Sequence, residues 1–124
     1  EIDKMIFTDT DLEIIIDTEN IDLKKGEKIT VHVDAEKLEV TNDKVKALHE
    51  ADALTVTADS TTVKASTGGV TITRSGSGLK KTLDDMLTAI QALTVTTPHG
   101  PSSTPINSAK FASIQADLPN YLEG

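Results

Sequence analysis

The sequence predicts a mainly β fold followed by a helical segment. Residues 1–75 read as a trimeric β-helix or β-solenoid shaft and residues 76–124 as a C-terminal helical hairpin, with an antiparallel β-sandwich plus helices as the alternative. Three observations carry this. Apolar and polar residues alternate with a period of two along most of the first half. Aromatic residues are nearly missing: Phe7, Phe111 and Tyr121 are the only ones, and there is no Trp. After a Ser-Gly run the apolar spacing changes to a helical one.

The alternation runs over residues 12–73. It is clearest in Ile29, Val31 and Val33 against Lys28, Thr30, His32 and Asp34. The same pattern marks Leu12/Ile14/Ile16, Ile21/Leu23, Leu38/Val40, Val45/Ala47, Leu54/Val56/Ala58, Val63/Ala65 and Val70/Ile72. Strand centres recur about every 7–9 residues, a soft repeat. Asn42-Asp43 and Gly68-Gly69 are the best hairpin dipeptides, while corners such as Thr18-Glu19-Asn20, Lys25-Gly26-Glu27 and Asp59-Ser60-Thr61 are polar and mostly without Gly. Large rings normally dominate core burial, so an interior without them must be narrow and filled by small branched side chains. This favours the slender β-helix. A piece of about 60 residues buries only about 60% of its unfolded-chain surface, so self-association is expected. The core and trimer-packing set is Ile29, Val31, Val33, Leu38, Val40, Leu54, Val56, Val63, Val70 and Ile72. Among these Val31, Val33, Val56 and Ile72 should point inward, with Thr30, His32, Thr55 and Thr71 outward.

Ser75-Gly76-Ser77-Gly78 reads as a joint. Leu79, Leu83, Met86, Ile90 and Leu93 then follow at spacings of 4, 3, 4 and 3, a heptad-like helical seam. Residues 94–105 carry Pro98, Pro101 and Pro105 and form a loop, because proline lacks a backbone donor. A second helix opens after Asn107, a favoured N-cap residue. Ile106 and Phe111 should staple its start, Phe111, Ile114 and Leu118 form its apolar face, and Pro119 ends it.

Charge and motifs exclude several functions. The formal net charge is -8, with sixteen acids against seven bases in residues 1–60 and four against five in the remainder. Such an acidic first half argues against a phosphate-backbone partner, and no nucleic acid is expected. Cysteine is absent, so there are no disulfides or thiolate metal sites. No apolar run approaches the length of a membrane span. His32, His49 and His99 lack a second His at metal-ligand spacing. Asp9-Thr10-Asp11-Leu12-Glu13 begins like a calcium loop, but Ile14 stands where the loop needs Gly and Asn20 where it needs Glu. Gly76-Ser77-Gly78 is neither a nucleophile elbow nor a phosphate loop. No catalytic residue, metal or cofactor is expected, and the chain reads as a non-enzyme.

Two stretches carry a family resemblance. Lys28-Ile29-Thr30-Val31-His32-Val33-Asp34-Ala35, with Leu54-Thr55-Val56-Thr57-Ala58-Asp59 and Thr62-Val63-Lys64-Ala65-Ser66, resembles the β-helical shafts of baseplate spike proteins from contractile-tailed phages and prophages. The run Leu83 to Leu93, with Thr97-Pro98-His99-Gly100-Pro101-Ser102 and Pro105-Ile106-Asn107, is similar to a segment of prophage tail and baseplate proteins. The resemblance implies an intertwined homotrimer. It also implies other baseplate or tail proteins and the host cell envelope as partners, and a place in a tail particle assembled in a bacterial cytoplasm. Its function would be envelope attachment or penetration; the alternative is a fibre or adhesion module that recognises a receptor or glycan. Such spikes often carry an oligomer-binding-fold domain before the shaft and an HxH iron site at the tip. Neither is found in this sequence, so the chain is expected to be a downstream part of a longer spike.

Overall fold

The computed structural model describes residues 4–124; the first three residues of the expected shaft lie outside it. The chain divides into two compact units, one ending at Thr67 and the other spanning Gly68–Gly124. The expected division at 75/76 is moved toward the N-terminus because the last long strand, its hairpin partner and the first helix contact one another.

The first unit holds eight strands: β1 (Lys4–Asp9), β2 (Leu12–Asp17), β3 (Ile21–Lys25), β4 (Ile29–Val33), β5 (Lys37–Asn42), β6 (Val45–Glu50), β7 (Ala53–Ala58) and β8 (Thr61–Ser66). Each pairs antiparallel with the next in the chain. The turns explain why. Asn42 faces Val45 and Ala58 faces Thr61, so only two residues make each reversal. Asp43 and Asp59 take φ of 55° and 54° there, a left-handed conformation that Asp and Asn tolerate better than most side chains. At the opposite end, Asp17 and Asp34 organise their turns through side-chain oxygens. Asp17 Oδ1 accepts the Glu19 and Asn20 N–H groups at 2.9 and 2.8 Å, and Asp34 Oδ1 those of Glu36 and Lys37 at 2.8 and 2.9 Å.

This corrects the expected shaft. The chain reverses at every turn instead of coiling, and the result is an open antiparallel meander, not a β-helix or solenoid. The period-2 signal was sound, since alternation reports only that one face of each strand is apolar. It does not distinguish a coil from a meander; the tight turns do.

The second unit begins with the hairpin β9 (Gly69–Arg74) and β10 (Ser77–Gly78), turned by Ser75 and Gly76, both at positive φ. Helix α1 (Leu79–Gln91) follows directly. A short hairpin, β11 (Thr96–Thr97) and β12 (Gly100–Pro101), lies within the proline-rich connector and has Pro98 and His99 at its tip. Helix α2 (Ser108–Asp117) leads into a single 3-10 turn over Leu118–Asn120. Leu87, Leu118 and Leu122 are the buried core, with Leu83 and Phe111 packed against it. The C-terminal segment returns along β9: Val70 N–H donates to the Tyr121 carbonyl at 2.9 Å and Glu123 N–H to the Val70 carbonyl at 3.0 Å. Gly69 permits this approach. Its φ is +145°, and a Cβ there would lie 2.7 Å from the Tyr121 oxygen.

Four details of the helical reading change. The expected seam is split: Leu83 and Ile90 are half-buried, whereas Leu79, Met86 and Leu93 are exposed. One covering helix meets only an arc of α1, roughly the 100° of an amphipathic stripe. Ile106 is fully exposed and forms no staple with Phe111. A turn bonding Ser108 N–H to the Pro105 carbonyl enters α2, and Asn107 (φ −101°, ψ 20°) is outside the extended N-cap geometry and makes no side-chain cap bond. Ile114 remains 43% exposed, so the inner face of α2 is Phe111 and Leu118.

Candidate functional site

The register places the alternating residues of the first unit in rows running across the sheet. Phe7, Ile14, Leu23, Val31, Val40, Ala47, Val56 and Val63 are successive cross-strand partners, an uninterrupted apolar row through all eight strands. On one side of it, on the same face, lie Met5, Ile16, Ile21, Val33, Leu38, His49, Leu54 and Ala65; on the other lie Asp9, Leu12, Lys25, Ile29, Asn42, Val45, Ala58 and Thr61. Among the described residues, the ionisable side chains on this face are therefore Asp9, Lys25 and His49, all in the marginal rows.

Most of these apolar residues are exposed, while Leu12, Ile14, Leu23, Val31, Val33 and Ala47 are half-buried. Phe7, Met5 and Leu54 are about half accessible, and Val56 and Val40 are 40% and 41% accessible. In some strands the polar residues between them are less so: in β7 Thr55 and Thr57 are half-buried while Leu54, Val56 and Ala58 are exposed, and β5 and β9 repeat this inversion. The packing set expected from sequence thus shares one face in the first unit, as alternation required. Within the first unit it is not a core, because no described residue of that unit is fully buried. Val70 and Ile72 of β9 are likewise exposed.

The opposite face carries the charges. Glu13 faces Lys24 and Glu39 is 3.6 Å from Lys46. Lys28 and Asp43 pair at 3.1 Å near the turns, both largely exposed; such pairs contribute little. One cluster on this face is more ordered. His32 of β4 places Nδ1 2.5 Å from Asp22 Oδ1 of β3 and Nε2 2.9 Å from Asp34 Oδ2. Donation of a ring N–H to Asp22, then of the other to Asp34, raises the His32 pKa above its ordinary value. Asp34 is held down to about 2 by the Glu36 N–H first and by His32 next. Sequence reading treated His32 as a bare outward residue; its cross-strand partner Asp22 was the signal available.

The remaining candidates do not converge. His99 sits at the β11–β12 tip, where Thr97 Oγ1 donates to the Gly100 carbonyl at 2.6 Å. Asp9 Oδ1 accepts the Thr10 N–H at 2.7 Å and builds a turn, not a calcium loop. Among the described residues no three His, Cys, Asp or Glu side chains gather as metal ligands. One open cleft of about 650 Å³ lies between residues 17–21 and 33–36, and its acids are the turn residues already described. A feature that sequence reading missed ties the two helices: Gln91 Nε2 donates to Gln115 Oε1 at 2.8 Å, and Gln115 Nε2 donates to Asp84 Oδ1 at 2.6 Å and Thr88 Oγ1 at 3.0 Å.

The site that stands out is therefore a surface, not a pocket: a broad apolar sheet face with its charges confined to the margins. Comparison with protein-family models, with curated proteins and with solved structures gives no match for this chain.

Proposed function

We propose that the chain is a structural, self-associating protein, a segment of a homotrimeric baseplate spike in a phage-like contractile tail. The observation that carries the self-association is the uncovered apolar face of β1–β8. Eight strands spaced about 4.8 Å apart, each five or six residues long at about 3.3 Å per residue, give a face of roughly 600 Å². That is at the top of the largest apolar patch a monomer usually exposes, about 300–600 Å². A standard interface covers about 800 Å² per partner, so this face supplies most of one.

Three copies fit its shape. Walls about 17 Å wide set around a common axis leave each wall about 5 Å from that axis, half the ~10 Å between two packed sheets. The residues nearest the axis would come from the central row, which from β4 onward is only Val and Ala. The polar face and the acidic turns would then lie outside. Such an assembly is built from three open sheets, and each chain covers the others' apolar residues. The contractile-tail setting rests on the resemblance of residues 28–35, 54–59, 62–66, 83–93, 97–102 and 105–107. A receptor or glycan module is less favoured, because sugar contact favours exposed aromatic rings and Phe7 and Tyr121 are the only exposed ones.

Immunogold electron microscopy tests the setting. An antibody raised against the chain should label the baseplate end of contractile tail particles from producing cells. Label confined to other structures, or to cells lacking such particles, would overturn it.

A further inference from the structure

Sheet hydrogen bonding places His32 at a junction of three segments. It projects from β4 on the polar face, with Asp22 of β3 as its direct cross-strand partner and Asp34 two residues further along, where the β4–β5 turn begins. Asp34 is already the organiser of that turn: its Oδ1 accepts two backbone N–H groups, and its own N–H donates to the Lys37 carbonyl at 3.0 Å. His32 takes the other oxygen, Oδ2, so one imidazole joins β3 to the turn. The turn between β2 and β3 is built the same way by Asp17 but has no histidine tie.

The geometry restricts the protonation state. A neutral imidazole has one N–H and one lone pair. It can donate to one carboxylate only, and its bare nitrogen would then face the lone pairs of the other. Both ring nitrogens here lie within hydrogen-bond distance of carboxylate oxygens. Only the imidazolium, a donor at both nitrogens, satisfies the arrangement.

We infer that His32 is a proton-operated clamp: in its protonated form it fastens the β4–β5 turn to β3, and loss of that proton releases one end. The surroundings act in the same direction. Glu39 of β5 is the other cross-strand neighbour of His32, Glu36 lies in the turn, and the nearby cations are Lys46, engaged by Glu39, Lys24 in the adjoining row of β3 and Lys37 at the start of β5. The histidine thus answers to a surplus of carboxylates.

The raised His32 pKa means that its stabilisation is complete below about 6.5 and is lost as pH rises through the folded-state value. The lowered Asp34 pKa means that its stabilisation is complete above about 3.8 and is lost as pH falls through about 2. Both ends of the clamp hold between these limits. This inference goes beyond the spike reading, because it concerns the polar face and applies whether or not the chain assembles.

Nitrogen NMR of the full chain, with His49 and His99 replaced by Gln to leave one imidazole, tests it. Both His32 ring nitrogens should be protonated at about pH 6, the titration should lie above the ordinary value of about 6.5, and Asp22→Asn should move it to lower pH. Wild-type chain should melt higher at about pH 5.5 than at about pH 8, and His32→Gln should lose most of that difference. A titration at or below the ordinary value of about 6.5, or an Asp22→Asn variant that titrates as the parent does, would overturn the clamp. An undiminished pH-dependence of melting in His32→Gln would also count against it.

Discussion

Val56→Asp separates assembly from folding. Val56 stands in the central row between Ala47 and Val63 and is 40% accessible in the chain by itself. Complete burial of a Val side chain contributes roughly 1.5–3 kcal/mol, so covering the remaining area contributes about 0.6–1.2 kcal/mol per chain. Aspartate forfeits that gain and leaves a carboxylate without a partner in a closed interface, at a cost of several kcal/mol. Even about 2 kcal/mol per chain, summed over three chains, is about four powers of ten in the assembly constant. Within one chain the same side chain meets water and costs far less. Sedimentation velocity with far-ultraviolet circular dichroism reads both quantities. The expected result is a lighter species that keeps its β spectrum. Thr55→Asp, on the opposite face beside Lys64, should leave the sedimenting mass unchanged. A Val56→Asp chain that sediments as the parent does, or a Thr55→Asp chain that dissociates equally, would refute the assignment of the faces.

Other substitutions test the second unit. Leu87→Ala removes the centre of the small core with Leu118 and Leu122 and should cost about 2–5 kcal/mol by chemical denaturation. Leu87→Asp should abolish the helical hairpin, whereas Met86→Asp, one residue away and half exposed, should leave its helical signal intact. Gly69→Ala should lower the melting temperature more than Gly76→Ala. Both have positive φ, but only at Gly69 does the new methyl meet the Tyr121 carbonyl, while nothing lies within 4 Å at Gly76.

Much of the secondary structure was legible from period alone. Ile29-Val31-Val33 and Leu54-Val56-Ala58 mark strands β4 and β7, because a pleated strand sends alternate side chains to opposite faces. The order of pairing was written in a quieter signal. Asp43, Asp59 and Ser75 all take positive φ and stand sixteen residues apart, the length of two strands and two turns in an antiparallel meander. Reading the corners as polar but lacking Gly concealed this, since Asp can occupy the left-handed region without Gly. Within the chain the helical seam is only partly covered: five residues at 4-3-4-3 spacing describe a stripe, of which Leu83 packs against the small core while Met86 and Leu93 remain exposed, and sequence does not say how wide a partner will be. What covers the sheet face was illegible in principle: alternation shows that a face is apolar, not whether its cover comes from the same chain or another. The His32 clamp required the register, because Asp22 and His32 are ten residues apart and meet only across β3 and β4.

The central claim is that copies of this chain cover the apolar face of the sheet, and the mass in solution tests it most directly. Size-exclusion chromatography with light scattering, at micromolar concentration and below, should give three times the 13.2 kDa chain mass, about 40 kDa. A face-to-face pair, at twice the chain mass, would keep the surface but contradict the threefold arrangement. A single 13.2 kDa species with a cooperative melting transition at every concentration would show that the open sheet is stable uncovered, and would contradict the account.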